Sequence, residues 1–139
     1  MDEDSSYRLD EQIGYVLRRV TQRHLAIFAA AIPEITTTQF AVLARLAETG
    51  PLSQNQLGRA VAMDAATIQG VVDRLIRLRL VATTADPQDR RRLTVALTDE
   101  GARLYKSRIE TALQVSRDTQ APLSAEEQAA LMTLLSRLT

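Results

Sequence analysis

No cysteine occurs in the 139 residues. Disulfides, thiolate nucleophiles, thiol redox sensing and sulfur-ligated metals are therefore excluded. A single histidine, His24, rules out multi-histidine metal sites and the HExxH arrangement of zinc proteases. GxGxxG and Walker A motifs are missing, as is the Gly-x-Ser-x-Gly elbow that would accompany a triad built on His24. Counting leaves paired carboxylates open, but no recognisable catalytic constellation remains, and the chain reads as a non-enzyme without cofactors. No apolar run approaches the ~20 residues that span a bilayer, so no membrane partner is expected. The N-terminus, Met1-Asp2-Glu3-Asp4-Ser5-Ser6, is acidic and lacks the apolar core of a secretory signal, which points to the cytoplasm. Net charge is missing too: 17 basic and 17 acidic side chains sum to zero, with no global pointer to a polyanion.

What is present suits one ordinary globular domain, or one domain plus an oligomerisation element: 45% of residues are hydrophobic and 24% charged. The basic residues are lopsided in kind, 16 arginines against one lysine. Arginine suits bidentate contacts with phosphates and base edges.

Four prolines, Pro33, Pro51, Pro87 and Pro122, each fall where a helical or strand pattern stops. From Leu9 to Ala31 the residues Leu9, Ile13, Val16, Leu17, Val20, His24, Ile27, Phe28 and Ala31 form a stripe at three/four spacing. One helix of about 22 residues would reach ~33 Å, more than so small a monomer can bury, so part of it is expected to face a partner chain. Thr36-Thr-Thr-Gln39 reads as a capping box opening a helix with Phe40, Val42, Leu43 and Leu46, stopped at Gly50-Pro51. Ser53-Gln-Asn-Gln56 is a second box, opening a short helix to about Val61 with Leu57 and Ala60 inward. Asp64 caps the next helix, Ala65 to about Arg79, with Ile68, Val71, Val72, Leu75 and Leu78 inward. Two short helices joined this tightly predict a helix-turn-helix.

The period then changes. Val81–Ala85 and Leu93–Leu97 read as strands, the second with Leu93, Val95 and Leu97 on one face. Between them Asp86-Pro-Gln-Asp-Arg-Arg-Arg92 begins as a type I turn. A hairpin directly after the second helix predicts a wing. Thr98-Asp-Glu caps a long helix to about Gln120, and Ser124-Ala-Glu-Glu127 is a third capping box before a last helix with Leu131, Leu134, Leu135 and Leu138. The predicted fold is mainly α (α+β). A winged helix-turn-helix lobe covers 36–98, and a helical dimerisation lobe covers 1–35 and 99–139.

This order of elements, with Val72-Asp-Arg-Leu-Ile-Arg-Leu-Arg-Leu-Val81 and Asp86-Pro-Gln-Asp-Arg-Arg-Arg-Leu-Thr-Val-Ala-Leu-Thr-Asp-Glu-Gly101, resembles the MarR family of bacterial transcription regulators from about Leu9 to Leu138. The Ser53-x-x-x-Leu57 start also matches. Two positions depart from the family pattern. Gly70 stands where many relatives have Arg, and Leu78-Arg79-Leu80 replaces the usual Lys-Gly-Leu. The resemblance implies a homodimer whose two winged motifs read a palindromic operator. It also implies repression that is relieved when a small aromatic acid binds between the lobes.

Charge is distributed accordingly. Residues 51–97 hold seven arginines and four acids, a net of +3, which leaves −3 for the flanks. The expected double-stranded DNA contacts are Arg90 or Arg91 in the minor groove, oriented by Asp89, and Gln69 on adenine beside the methyls of Ala65 and Ala66. Thr67 is expected on a phosphate, Arg74 completes the recognition helix, and Ser53, Gln54 and Asn55 offer a phosphate-facing helix start. Plain capping competes for Ser53, a turn role for Asp89, and an ion pair with Asp73 or the wing for Arg74. Gly70 implies close approach to DNA or to a packed neighbour.

For the effector, His24 with Arg18, Arg19 or Arg23 would meet a carboxylate, against Phe28, Phe40 and Leu43, with Thr38 and Gln39 adding polar contacts. A hydrogen-bonded core histidine is the plain alternative for His24. Thr36-Thr-Thr-Gln-Phe40 and Met63-Asp-Ala-Ala-Thr-Ile-Gln-Gly70 resemble a branch of the family that regulates aromatic or N-heteroaromatic acid catabolism. Three rival readings remain: a winged-helix module that binds protein, a small helical enzyme, and a repressor without an effector.

Overall fold

The computed structural model describes residues 6–139, so most of the acidic N-terminus lies outside the described residues. Six helices run in the order α1 (Ile13–Ala31), α2 (Thr37–Thr49), α3 (Gln54–Ala60), α4 (Ala65–Arg77), α5 (Asp99–Gln120) and α6 (Ala125–Ser136). Three strands, β1 (Leu52–Ser53), β2 (Val81–Ala85) and β3 (Leu93–Leu97), form an antiparallel sheet with β3 in the centre. The fold is the predicted mainly α winged helix-turn-helix. None of the described helices is long and apolar enough to cross a membrane.

Local chemistry sets most of the helix starts. Thr36, Ser53 and Ser124 each close a complete capping box with Gln39, Gln56 and Glu127, satisfying two backbone N–H groups at each start. Asp64 and Thr98 cap α4 and α5 by accepting from the N–H of Thr67 and Gly101. The expected single helix from Leu9 is broken instead. Leu9–Glu11 forms one tight 3-10 turn, Gln12 is extended, and its side chain returns to the Arg8 carbonyl at 2.9 Å.

The buried core sits largely in the winged lobe. Val42, Leu43 and Leu46 of α2 meet Leu57 of α3, Ile68, Val71, Val72 and Leu75 of α4, and Val81 and Val95 of the sheet. Two residues expected inside are outside: Leu78 follows the last turn of α4, and Leu93 sits at the wing end of β3, beyond the reach of the core. The sequence pattern missed β1, whose two residues pair Leu52 with Val95 and Ser53 with Thr94. So short a strand carries no period of its own.

Both ends of the helix-turn-helix close in Schellman motifs. After α3, Met63 N–H donates to the Gly58 carbonyl at 2.8 Å; after α4, Leu80 N–H donates to the Leu75 carbonyl at 3.0 Å. The turn residues are Ala62 and Arg79, at φ 56° and 62°, where glycine is the unstrained choice. The missing glycine noted at Arg79 is therefore a real strain in the backbone.

Immediately beyond it, α5 docks. Thr98 N–H donates to the Leu80 carbonyl at 3.1 Å, and the Thr98 hydroxyl donates to the Arg79 carbonyl at 2.7 Å. A Cβ on Gly101 would lie 2.0 Å from the Leu80 carbonyl oxygen, so only glycine permits this approach. Gly101→Ala should lower the unfolding free energy by about 3 kcal/mol or more in urea denaturation, because the clash is with backbone that cannot rotate away. Arg79→Gly should raise it by about 1 kcal/mol by relieving the left-handed strain. A neutral Gly101→Ala would show that α5 can shift at this junction.

Candidate nucleic-acid interface and effector cavity

The first turn of α4 stands open to solvent. Ala65, Ala66, Thr67, Gln69 and Arg74 are all exposed, and no described residue pairs with Arg74. Asp64 holds this turn by accepting from Thr67 N–H at 2.7 Å. That backbone hydrogen bond is the main cause that keeps the Asp64 carboxyl below its ordinary range. Within the chain nothing packs where a Gly70 Cβ would stand. A neighbour inside the protomer is therefore not the reason for glycine here.

The wing is built from two successive turns. Asp89 N–H donates to the Asp86 carbonyl at 3.2 Å, and Arg92 N–H donates to the Asp89 carbonyl at 2.9 Å. Each aspartate also accepts with its carboxylate from the residue two further on, Gln88 and Arg91, at 2.9 and 3.0 Å. Asp89 thus holds the turn, and its carboxylate lies 4.0 Å from Arg91 Nε as well. Arg90, Arg91 and Arg92 are exposed.

Two recesses join these parts. One, of about 330 Å³, lies between the start of α3 and the wing, and is lined by Ser53, Gln54, Asn55, Arg91, Arg92 and Leu93. The other, about 190 Å³, brings Asn55 and Arg59 of α3 to Ala65 and Ile68 of α4. Wing, α3 start and α4 start therefore form a continuous basic surface. Ser53 is buried, with its hydroxyl accepting from Gln56 N–H, so Gln54 and Asn55 carry the free polar groups there. Arg59 and Arg92 were visible in the sequence only as charge. Arg59 stands four residues after Asn55, the spacing that puts both on one helix face.

The residues considered for an effector separate in space. His24, Phe28 and Phe40 line a cavity of about 210 Å³ between α1, α2 and α5, completed by Thr37, Ala41, Ala112, Val115 and Ser116. Phe28 and Phe40 meet edge to face, with centroids 6.0 Å apart. Gln39 lines a second cavity of about 520 Å³, which shares Phe28 and Thr37 and extends to Glu34 and Leu78. Glu34 pairs with Arg108 of α5. A hydrogen bond from backbone at Glu34, then the Arg108 guanidinium, lower its carboxyl from the usual range.

Other candidates lie elsewhere. Leu43 is fully buried among the core residues and lines neither cavity. Thr38 is exposed, 3.2 Å from the Thr36 hydroxyl. Arg19 is exposed with its guanidinium 5.9 Å from the Tyr15 ring centroid. Arg18 lines a recess with Tyr7 and Tyr15 at the start of α1. Arg23 is committed to the end of α5, donating to the Asp118 and Thr119 carbonyls at 2.9 and 2.5 Å. His24 Nδ1 lies 2.8 Å from Thr119 Oγ1. The α5 contributors to the cavity are some 90 positions from His24 in the chain, and no local pattern announces them.

Residues 34–92 match the MarR family model. The HTH-type transcriptional repressor NicR of Pseudomonas putida is 41% identical over 138 residues, covering 98% of this chain and 87% of the repressor. The structure of BpsR from Bordetella bronchiseptica, whose DNA binding is described as regulated by 6-hydroxynicotinic acid, matches with a TM-score of 0.91. Its sequence is 38% identical, and the match covers 96% of each chain. PcaV of Streptomyces coelicolor, solved in complex with its natural ligand, matches with a TM-score of 0.90 at 35% identity, again over 96% of each chain. The helix order, the basic wing and these relatives together make the chain a member of the MarR family of winged helix-turn-helix, DNA-binding transcription regulators.

Proposed function

We propose that the protein is a cytoplasmic, non-catalytic repressor. It binds a palindromic operator as a homodimer and leaves it when a small aromatic carboxylate enters the His24 cavity. The observation that carries this reading is the joint placement of two features. A continuous arginine-rich surface runs over the wing, α3 and the start of α4, and a mostly apolar cavity with one imidazole lies where α1, α2 and α5 meet. Similarity to NicR, a repressor, and to BpsR, a protein whose DNA binding is regulated by 6-hydroxynicotinic acid, supports it.

The lobe division proposed is 36–98 for DNA and 1–35 with 99–139 for the dimer. Support comes from the burial pattern: α6 has no buried residue, Ile13, Leu17, Val20, Leu113 and Leu134 are exposed apolar side chains on the terminal helices, and Leu138 is exposed just beyond α6. Isolated helices of this length are marginal in water, and so much exposed apolar surface requires a cover. A second copy of the chain, presenting the same surface about a two-fold axis, is the cover this reading names.

On DNA, Arg91 and its neighbours approach the minor groove or phosphates, with Asp89 fixing the wing turn. Gln54 and Asn55 hold phosphate beside the Ser53 cap. Ala65, Ala66, Gln69 and Arg74 face the major groove, and Thr67 holds a phosphate. In the cavity, Phe28 and Phe40 offer an apolar wall to a ring and His24 meets a polar substituent. Gln39 serves the adjoining larger cavity.

Footprinting on the protein's own upstream DNA, with and without a panel of aromatic carboxylates, tests the whole reading. A two-fold symmetric footprint that at least one acid at millimolar concentration abolishes is expected. A footprint indifferent to all of them would leave DNA binding and remove the effector.

Arg91→Ala should weaken binding to all DNA sequences and reduce the slope of log affinity against log salt by about one unit, as measured by fluorescence anisotropy. Gln69→Ala should lose about 1–3 kcal/mol on the cognate operator alone. Equal losses on random DNA would remove Gln69 from base reading. Gly70→Ala, with no clash in the protomer, should raise stability by about 1 kcal/mol through helix propensity. The same variant should weaken operator binding, since its new methyl stands on the outward side of α4. Unchanged affinity would take Gly70 out of the interface.

A further inference from the structure

The seven residues of α3 end where the two helices of the motif are joined. The last carbonyls of a helix have no donor within it. Three of them find backbone here: Leu57 accepts from Val61 N–H at 3.0 Å, Gly58 from Met63 N–H at 2.8 Å, and Arg59 from Ala62 N–H at 3.3 Å. The fourth, Ala60, accepts from a side chain of another helix. Arg45 Nε, on α2, donates to it at 3.0 Å, and Arg45 Nη1 donates to the Glu48 carboxylate at 2.9 Å. Among the described residues the Ala60 carbonyl has no other donor.

We propose that Arg45 is a positioning residue for DNA reading. It fixes the α3–α4 turn, and with it the spacing between the start of α3 and the start of α4, so it sets the preference for the operator over other DNA without touching DNA itself. This rests on the proposed contacts of Asn55 with phosphate and of Gln69 with bases, and names what holds the two in register.

The turn needs such a hold. Ala62 stands in the left-handed region at φ 56°, which a residue with a Cβ disfavours. The helices also meet closely across it: a Cβ on Gly58 would lie 3.1 Å from the Met63 carbonyl oxygen and 3.2 Å from Ile68 Cγ2. Without Arg45 the Ala60 carbonyl loses its partner, and a rearranged turn that finds another becomes competitive. The planar guanidinium serves Ala60 and Glu48 at once, which a single ammonium cannot do in the same geometry. The side chains of Arg45 and Glu48 are 40% and 67% exposed, so the pair adds little to global stability and acts on local geometry. Phosphate contacts orient a protein on the duplex while base contacts read sequence, so a slip between α3 and α4 costs the cognate site first.

The test uses the full-length protein, the upstream duplex that footprinting identifies, and a random-sequence duplex of equal length, compared by fluorescence anisotropy. Arg45→Met keeps the aliphatic stem and removes the donors. It should bind the operator about tenfold more weakly, the worth of one hydrogen bond, and random DNA within about twofold of the wild type. The salt slope should not change, since no phosphate contact is lost. In an Ala62→Gly background the turn carries no left-handed penalty, and the same substitution should cost the operator about threefold or less. Glu48→Ala, at an exposed position, should show a smaller loss of the same kind, and it carries the test if Arg45→Met does not fold. Equal losses on both duplexes with a shallower salt slope would make Arg45 a phosphate contact and overturn the proposal. Unchanged operator affinity overturns it too, as does a full loss in the Ala62→Gly background. Amide hydrogen exchange at Met63 reads the turn itself: it should quicken in Arg45→Met, and an unchanged rate overturns the proposal. If the wild type prefers no upstream duplex while Met63 exchange responds, the DNA-reading function fails and the role in specificity with it, but the hold of Arg45 on the turn stands.

Discussion

Two hydrogen bonds and one glycine join the end of α4 to the start of α5. The Leu80 carbonyl accepts the Thr98 N–H, the Arg79 carbonyl accepts the Thr98 hydroxyl, and Gly101 lacks the Cβ that would keep them apart. Buried polar backbone must be paired, so this junction satisfies the start of α5 and the end of α4 at once. The Leu75–Leu80 closure draws Leu80 into the core, and β2 begins at the next residue. The wing, α4 and the first turn of α5 consequently share one anchored segment. Their relative positions follow from four residues, Arg79, Leu80, Thr98 and Gly101.

The other end of α5 meets α1 in a different chemistry. Arg23 and His24 hold its last turn through the carbonyls of Asp118 and Thr119 and the Thr119 hydroxyl. Between these ends Ala112 and Val115 wall the small cavity and Arg108 reaches Glu34 in the α1–α2 connection. At 22 residues α5 is about 33 Å long, enough to touch the wing junction and the cavity with a single rigid element. A ligand in that cavity shifts a conformational equilibrium only as far as it binds one arrangement of α1, α2 and α5 better than another. Phe28 and Phe40 meet edge to face in the wall of that cavity, so a ligand held there would touch both α1 and α2.

Helix starts were legible in the sequence because capping is a local pattern of four residues, and Thr36, Ser53 and Ser124 form the boxes the pattern implies. The wing was legible for the same reason, since Asp86-Pro87 and Asp89 fold their own turns. What was not legible depends on distant chain. β1 exists only because β3 lies beside it. Leu43 carries the same apolar signal as Phe40, but its position on α2 points it into the core while Phe40 faces the cavity. Arg23 looked like a carboxylate receptor until the end of α5 arrived beside it. Thr119 offered no signal, because a lone threonine near a helix end is common and its meaning lies in His24, 95 positions away.

Charge is distributed unevenly along the chain. The chain balances to zero, yet the basic excess falls in 51–97, where the side chains of Arg59, Arg90 and Arg92 are exposed and make no ion pair with a described residue, and Arg91 is exposed beside Asp89. The arginines outside that stretch are more often engaged: Arg23 on α5 carbonyls, Arg45 on the Ala60 carbonyl and Glu48, Arg108 on Glu34. An arginine already paired has less to offer a phosphate, because its donors are occupied and its charge is compensated locally. Attraction to a polyanion is thus concentrated where the sheet and the two short helices converge, and the acidic flanks weaken it elsewhere. For a protein that must find one site among many, low overall charge limits the sequence-independent part of binding, while the clustered arginines keep the local part strong.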